Sequence, residues 1–377
     1  MTDLERHEYD VIVIGAGGAG LRAAIEARQQ GLRTAIICKS LFGKAHTVMA
    51  EGGIAASMGN ANEKDSWQTH FRDTMRGGKF LNNPRMAELH AKEAPHRVWE
   101  LETYGALFDR TADGRISQRN FGGHEYPRLA HVGDRTGLEL IRTLQQKIVS
   151  LQQEDHRETG DYESRLKVFA ELTITEILKE DGAVAGAFGY WRESGRFVLF
   201  EAPAVILATG GIGKSFKVTS NSWEYTGDGH ALALRAGAAL INMEFIQFHP
   251  TGMVWPPSVK GLLVTESVRG DGGVLRNSEG KRFMFDYIPE FFSTPPSPRT
   301  DSVTSSPFTE GGQTMPVGWN WTNSMFTSVA PATSASAWPS PEYSHELLVT
   351  LYDRPIPPVA STTDGARKLM NLPDSRQ

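Results

Sequence analysis

Residues 9–20, YDVIVIGAGGAG, decide the fold of this 377-residue chain. A short β-branched run ends at Ile14 and passes directly into a loop with glycines at positions 15, 17 and 20. Residues 21–30 follow with helical character, and residues 33–38, RTAIIC, form a second predicted strand. The pattern predicts a βαβ unit within about 30 residues, as in dinucleotide-binding domains.

The glycine spacing gives each position in this loop a separate role. Gly15 permits a tight turn, Gly17 and Gly18 let the backbone approach a pyrophosphate, and Gly20 lets the helix pack close to the strand. The second strand ends at Lys39 and Ser40, whereas an NAD site usually has an acidic residue there. This argues against an ordinary NAD site and is compatible with FAD, whose ribose could be held by Ser40 or by backbone. The alternative is a tight strand–helix turn without a ligand.

Two longer helices and a strand-rich region follow. We expect a helix over residues 85–105 with a break or kink at Pro95, and an amphipathic helix over residues 136–153. The apolar face predicted for the second helix consists of Leu138, Ile141, Leu144, Ile148 and Leu151. Residues 167–209 alternate as strands, with hairpin turns at Asp181-Gly182 and at residues 193–196. The run AVILAT at 204–209 suits a buried strand of a parallel sheet. We expect a further helix over residues 230–236.

Composition excludes several classes of protein. The chain is 40% hydrophobic with a net charge of −5, which argues against a nucleic-acid partner. Its single cysteine, Cys38, excludes an internal disulfide or a cysteine-based metal cluster. His124, His131 and His230 lack metal-ligand spacing, so we expect them to be solvated or hydrogen-bonded and expect no metal site. No apolar run reaches about 18 residues, so we expect no direct membrane insertion.

A second glycine-containing loop, GKAHTVMAEGG at residues 43–53, follows the second predicted strand. Such a loop could reach over a flavin ring, which would place His46 beside the cofactor. The alternative is an ordinary loop histidine that the backbone satisfies.

Further motifs follow the loop of His46 along the chain: FGGH at 121–124, DRTG at 134–137, ATGG at 208–211, TSN at 219–221, TGDG at 226–229, HPTG at 249–252 and TExxRGxGG at 265–273. Together with the loop at residues 43–53, they resemble the flavoprotein subunits of succinate dehydrogenase and fumarate reductase. The match covers residues 1–292, and the sequence of residues 39–53 is closest to an actinobacterial-type branch. Glu51 departs from the glutamine of the family motif around His46.

The resemblance implies the fold and the cofactor site. It implies an α/β, Rossmann-like FAD-binding domain at residues 1–240, with a parallel sheet and an added antiparallel β segment. An incomplete α+β substrate-capping domain would follow at residues 241–292. FAD would be attached covalently through His46, and Asp228 would contact the flavin unless it merely caps a helix. The implied cofactor-binding residues are Gly15, Gly17, Gly18, Gly20, Lys39, Ser40, His46, Thr47, Gly52, Gly53, Ala170, Gly210, Gly211 and Asp228.

The resemblance also implies a substrate site for a C4 dicarboxylate. It would be formed by Phe121, Gly52, His249, Thr251 and Thr265. Glu266 and Arg269 would relay protons, although at this spacing they also suit an ordinary ion pair, and His249 alone suits a structural turn. The family's main acid/base arginine and its second substrate clamp have no motif match here.

The implied reaction is oxidation of succinate to fumarate, or its reverse, with electrons passed to an iron–sulfur subunit. That subunit would dock on membrane anchor subunits, which implies a cytoplasmic protein on the inner face of the cell membrane. Two alternatives remain. One is a non-catalytic, partial FAD-binding fragment, and the other is a related flavoenzyme such as aspartate oxidase, which His46 disfavours.

Residues 293–377 differ in composition from the rest and hold 12 of the chain's 20 prolines, with many serines and threonines. Such a composition buries too little apolar surface to offset chain entropy, so we expect most of this tail to be disordered. Residues 345–352, HELLVTLY, are the stretch expected to be ordered.

We predict that the tail arises from a frameshift or a gene-model error near Phe292. Translation of the neighbouring reading frames of the source DNA should then continue a folded-looking sequence. If no other frame does so, the prediction is wrong.

Overall fold

The computed structural model describes residues 4–121, 123–217, 219–241 and 348–352, together with residues 279–282 and a few single positions between 243 and 276. The described helices are α1 Gly18–Gln29, α2 Trp67–Gly77, α3 Pro84–Thr103, α4 Thr136–Thr159 and α5 Asp228–Arg235. The described strands are β1 Glu5–Glu8, β2 Val11–Ile14, β3 Thr34–Cys38, β4 Ile54–Ala55, β5 Gln118–Arg119, β6 Leu129–Ala130, β7 Leu166–Ala170, β8 Leu172–Glu180, β9 Ala183–Trp191, β10 Phe197–Glu201, β11 Ala204–Ala208 and β12 Leu348–Tyr352.

The predicted βαβ unit forms the centre of a five-stranded sheet with the order β12-β11-β2-β3-β7. Strands β11, β2, β3 and β7 run parallel, and β12 pairs antiparallel with β11 at one edge. All residues of β2, β3 and β11 are buried, as expected for a parallel sheet covered on both faces. The Rossmann-like α/β fold is therefore confirmed, and β12 lies within the stretch of the tail expected to be ordered.

Alternate side chains of β2 enter two separate hydrophobic cores. Val11 and Val13 pack with residues of α1 and α4 on one side of the sheet. Ile12 and Ile14 pack on the other side with a second sheet, ordered β1-β10-β9-β8. The described chain thus has three layers: helices, the parallel sheet, and the mainly antiparallel sheet that was expected as an added β segment.

The hairpin turns of the second sheet form where the sequence predicts them. Asp181 and Gly182 join β8 to β9 with φ angles of 53° and 84°. Positive φ at both central positions is the signature of a type I′ turn, which Asp-Gly favours.

Two helix predictions need correction. Pro95 lies inside α3, which continues through it, so the break predicted as one alternative is absent. On α4, Ile141, Leu144, Ile148 and Leu151 are buried, but Leu138 is 48% exposed. At about 100° per residue, Leu138 lies roughly 100° from the middle of the arc formed by the other four, so it falls beside the buried face.

A buried ion pair fastens α1 to α4. Nε of Arg28 donates to both carboxylate oxygens of Asp155, at 2.9 and 3.0 Å. Asp155 has no exposed side-chain surface and Arg28 has 10%, so the Arg28 charge depends on Asp155 for compensation.

Replacement of Asp155 by alanine should leave the Arg28 guanidinium buried without its main counter-charge. We expect Asp155→Ala to lower the free energy of unfolding by about 3–5 kcal/mol. The matched control is Glu158→Ala, which removes an exposed carboxylate one turn away on the same helix and should cost less than about 1 kcal/mol. Urea unfolding midpoints measure both, and equal losses would show that the burial of the pair is irrelevant.

Candidate functional site

A cleft opens at the carboxyl ends of β2, β3 and β11, where the loops that follow these parallel strands begin. Its empty volume, which includes space open to solvent, is about 680 Å³. Seven of the predicted cofactor residues line it: Gly15, Gly17, Lys39, Ser40, His46, Gly210 and Asp228. The structure therefore brings together residues that are up to 213 positions apart, from Gly15 to Asp228.

Two glycines permit the close crossing of β2, α1 and β11 behind this cleft. Gly15 has φ = 113°, and a Cβ there would overlap the carbonyl oxygen of Ala208. A Cβ at Gly20 would in turn overlap the carbonyl oxygen of Gly15. These are the turn and helix-packing roles that the spacing predicts.

The start of α1 is suited to an anion. Gly17 precedes the helix in extended conformation, and within the described residues no side chain caps it and no acidic residue lies in its first turn. The backbone N–H groups and the helix dipole at such a terminus favour a phosphate. One of these groups is already engaged, because the N–H of Gly18 donates to the Thr47 hydroxyl at 3.1 Å.

The hydroxyl of Thr209, just after β11, adds a polar group to the cleft. It is buried and finds no hydrogen-bond partner among the described residues. A buried hydroxyl normally has a partner. Together with the glycine-lined wall and the start of α1, it fits a dinucleotide, with its phosphates and several polar groups.

Lys39 and Asp228 form an ion pair across the mouth of the cleft. Nζ of Lys39 donates to Asp228 at 2.7 Å and to the Thr226 hydroxyl at 2.6 Å. Burial opposes the charged form of the carboxyl, but the hydrogen bonds from Lys39 and Thr226 outweigh it and hold the pKa of Asp228 below its usual value. The capping alternative for Asp228 is wrong, because Gly227 occupies the N-cap position and Asp228 is the first helical residue.

Ser40 and Ala170 lie at the β3–β7 side of the cleft. The Ser40 hydroxyl donates to the carbonyl of Lys44 at 3.3 Å, and Ala170 pairs with Cys38 across the two strands. The cleft wall beyond them comes from residues 172–174 of β8 rather than from Ala170. Burial raises the pKa of the Cys38 thiol to about 12, so this cysteine remains an unreactive thiol at neutral pH.

His46 begins a short 3₁₀ helix, His46–Met49, and faces the cleft. Its Nδ1 accepts a hydrogen bond from the backbone N–H of Ser222 at 3.2 Å. The side-chain amide of Asn221 lies 3.3 Å from Nε2. The ring of Tyr225 packs edge-on against the His46 ring, with an interplanar angle of 83° and the ring centroids 4.4 Å apart.

Contacts from three directions fix the loop that carries His46. Nε of Arg119 donates to the carbonyl of Gly52 at 3.0 Å, and its Nη2 donates to that of Glu51 at 3.3 Å. Gly53 has φ = 126°, and a Cβ there would lie 2.8 Å from the Ala130 carbonyl oxygen. Gly137, at the start of α4, donates its N–H to the carbonyl of Ala50 at 2.7 Å. The backbone of the second glycine loop is therefore held by packing and hydrogen bonds, which restrict the position of His46.

Of the predicted substrate residues, the structure describes Phe121 and Gly52, and neither lines the cleft. Phe121 is buried in a small cluster and stacks on His124 with a centroid separation of 3.9 Å. The other predicted substrate and proton-relay residues lie outside the described residues: His249, Thr251, Thr265, Glu266 and Arg269.

The three histidines expected to be solvated or hydrogen-bonded have different surroundings. His124 bonds to Arg128 at 2.6 Å, and Nδ1 of His131 lies 2.9 Å from the Asp109 carboxylate. His230 is 5% exposed, so it is not solvated, and its ring nitrogens find no hydrogen-bond partner among the described residues. Burial lowers the pKa of His230, which keeps the ring neutral.

Within the described residues, no cluster of three or more histidine, cysteine or acidic side chains is arranged to hold a metal ion. The described helices also include none that combines the length and the apolar character needed to cross a membrane.

Sequence reasoning missed Tyr225 and Thr209 as residues of the cleft. Both sit beside motifs that it did identify, Tyr225 just before TGDG and Thr209 inside ATGG. An aromatic residue next to such a motif was the available signal for Tyr225, but its contact with His46 spans 179 positions and is not visible in the sequence.

Comparison with known proteins gives one family match, an FAD binding domain that covers residues 10–316. Among curated relatives, a protein of the CoM/CoB fumarate reductase of Methanothermobacter marburgensis is 48% identical over 286 residues, which are 76% of this chain and 50% of that protein. The succinate dehydrogenase flavoprotein subunit of Rickettsia conorii is 40% identical over 291 residues, covering 75% and 46%.

Among solved structures, Mycobacterium smegmatis Sdh1 in complex with UQ1 is 82% identical, with a TM-score of 0.70. The match covers 76% of this chain and 48% of that one. This chain thus spans about half the length of the relatives that it matches. The family model ends 24 residues beyond position 292, so the predicted start of the divergent tail at 293 is not confirmed.

The close packing at Gly20 predicts a sharp sensitivity to one added methyl group. Gly20→Ala should push α1 away from the Gly15 carbonyl, lower bound dinucleotide by at least about tenfold and destabilise the fold by about 1–3 kcal/mol. Gly31→Ala is the control, because Gly31 also has a positive φ, 85°, but no atom lies within 4 Å of its added Cβ. It should cost about 1–2 kcal/mol and leave cofactor content intact. Flavin absorbance per purified chain measures the difference, and full occupancy in Gly20→Ala would contradict the packing role.

Proposed function

Because the chain belongs to the FAD-binding-domain family of FAD-dependent oxidoreductases, we propose that it is the cofactor-binding part of a succinate dehydrogenase or fumarate reductase flavoprotein. The observation that carries this proposal is the position of His46, on the same cleft as the glycines at 15 and 17. A dinucleotide bound along that cleft would bring one of its ends to His46. The names of the relatives supply the substrate pair, succinate and fumarate.

We assign the two ends of the cleft to different parts of FAD. The backbone at Gly15 and Gly17 and the start of α1 would hold the pyrophosphate. Lys39 and Ser40 would face the ribose side, and Gly210, Gly211 and Asp228 would border the remainder of the cofactor. FAD would be attached covalently through His46, and when bound it supplies hydride transfer.

Within this proposal the chain's own residues bind substrate and move a proton. His249, Thr251 and Thr265 would donate hydrogen bonds to a carboxylate of the C4 dicarboxylate, with Phe121 and Gly52 shaping the site. Glu266 and Arg269 would relay a proton to or from the active-site acid/base. Donors aimed at a carboxylate favour the transition state only if they hold the substrate in one orientation.

We further propose the domain organisation and partners that the resemblance implies. Residues 1–240 would be the first segment of the FAD-binding domain, residues 241–292 the start of a substrate-capping domain, and residues 293–377 a divergent tail. Electrons would pass to an iron–sulfur subunit held by membrane anchor subunits on the cytoplasmic face.

A second candidate function is that of a non-catalytic FAD-binding fragment. It is favoured by the lack of any motif match in this sequence for the family's main acid/base arginine. The two candidates share the cofactor site and differ in turnover.

The covalent role of His46 can be tested with the full 377-residue chain. After denaturation, flavin fluorescence should stay with the wild-type polypeptide, whereas His46→Ser should release all of its flavin. His96→Ser, an exposed histidine on α3 outside the cleft, should behave like the wild type. Release of flavin from the wild-type chain would refute the covalent attachment.

Succinate-dependent dye reduction separates the two candidate functions. We expect none from this chain alone, because the sequence lacks a recognisable acid/base arginine. Reduction that is lost in Arg269→Lys and retained in Arg276→Lys, a basic residue outside the proposed relay, would select the catalytic function instead.

A further inference from the structure

Three residues of the segment 221–225 contact the ring of His46. This segment lies between the 3₁₀ turn Gly213–Ser215 and α5. The segment supplies the backbone N–H on Nδ1, the amide near Nε2 and the Tyr225 ring, as given above. All its contacts with His46 join residues at least 175 positions apart, so this arrangement belongs to the tertiary fold and not to the loop of His46.

The hydrogen bond from Ser222 distinguishes the two ring nitrogens. A backbone N–H can only donate, so Nδ1 must present its lone pair, and the neutral ring carries its proton on Nε2. This tautomer requires the Asn221 side chain to turn its carbonyl oxygen, and not its NH2 group, towards Nε2. A nitrogen alkylated at Nε2 still has its lone pair on Nδ1. The Ser222 hydrogen bond therefore suits His46 both before and after a bond forms at Nε2, whereas a bond at Nδ1 would break it.

The segment is held in place without help from His46. The N–H of Asn221 donates to the Thr219 hydroxyl at 3.1 Å, and the N–H of Lys214 donates to the Tyr225 carbonyl at 2.9 Å. Tyr225 is 2% exposed, and its ring packs over Gly210, where a Cβ would lie 3.3 Å away. A fixed wall of this kind limits how far the imidazole can rotate.

Asn221 has a different relation to the ring. Its amide occupies the direction from which a carbon atom would approach Nε2, because a hydrogen-bond partner and a new covalent partner both lie in the ring plane along the outward axis of Nε2. The side chain must therefore move aside when the bond forms. The backbone of Ser222 and the ring of Tyr225 need not move.

We infer that the backbone N–H of Ser222 and the ring of Tyr225 are positioning groups that present Nε2 of His46 to the flavin methyl carbon; this rests on the proposed covalent attachment of FAD. The new bond joins Nε2 to the 8α-methyl carbon, while one C–H and one N–H bond break. The flavin ring takes up the two electrons and two protons, so it is the oxidant of its own attachment. Asn221 marks the approach direction and is displaced.

Two pairs of variants test the inference in the full chain incubated with FAD. Ser222→Pro removes the N–H donor and Ser222→Ala keeps it; Tyr225→Leu removes the aromatic ring and Tyr225→Phe keeps it. The rate of covalent attachment should fall by about 10- to 100-fold in Ser222→Pro and Tyr225→Leu, since a misplacement of about 1 Å costs that much. It should stay within about twofold of wild type in Ser222→Ala, Tyr225→Phe and Asn221→Ala.

A matched control lies in the same segment. Trp223 is 82% exposed and does not line the cleft, so Trp223→Ala should leave attachment unchanged. Total flavin per chain, measured before denaturation, separates attachment from binding. Because proline also restricts residue 221, Tyr225→Leu gives evidence that is independent of backbone distortion.

The possible outcomes decide between the two claims. Wild-type attachment rates in Ser222→Pro and Tyr225→Leu would overturn the inference and leave the proposed function intact. Flavin that binds the wild type without any covalent fraction would overturn the role of His46, and this inference with it. A nitrogen-15 spectrum of the histidines without flavin provides a further test: the His46 proton should sit on Nε2, and a proton on Nδ1 would overturn the inference.

Discussion

The close crossing of three backbone segments at Gly15 is the constraint on which the rest of this structure depends. Strand β2 ends there, α1 starts beside it, and the end of β11 passes so near that neither Gly15 nor Gly20 leaves room for a Cβ. Backbone contact at this distance sets the start of α1 over the edge of the sheet, where its first N–H groups meet the cleft. A side chain at Gly15 or Gly20 would push α1 away from the strands, and the anion site at the start of α1 would move with the helix.

The position of the second glycine loop follows from the same crossing. The Thr47 hydroxyl accepts the N–H of Gly18, so the loop of His46 is joined directly to the first turn of α1. Arg119 and the start of α4 hold the loop from the other side through Glu51, Gly52 and Ala50. One end of the cleft is thus positioned relative to the other by hydrogen bonds rather than by a flexible connection, which suits a long cofactor that must reach both.

The sequence predicted those parts of the fold and site that depend on local pattern. The βαβ unit, the type I′ turn at Asp181 and the buried strand β11 follow from glycine spacing, turn chemistry and apolar runs. What it did not predict depends on distant contacts. The burial of His230 and the contact of Tyr225 with His46 arise from packing between elements far apart in the chain. The prediction that Leu138 is buried was wrong for a simpler reason. The apolar positions of α4 show which side of the helix is apolar, but not how far the neighbouring elements cover its edges.

The pairing of Lys39 with Asp228 bears on which dinucleotide the cleft accepts. An NAD site places a carboxylate at the end of the second strand to bind the ribose hydroxyls, and an NADP site places a free cation there for the 2′-phosphate. Here the residue is a lysine, but its charge is already engaged by Asp228 and by the Thr226 hydroxyl. A 2′-phosphate would have to compete with a carboxylate 2.7 Å away, and a nicotinamide dinucleotide would find no acid on β3. The pair therefore argues against a 2′-phosphate, and the matched FAD binding domain identifies the cofactor as FAD.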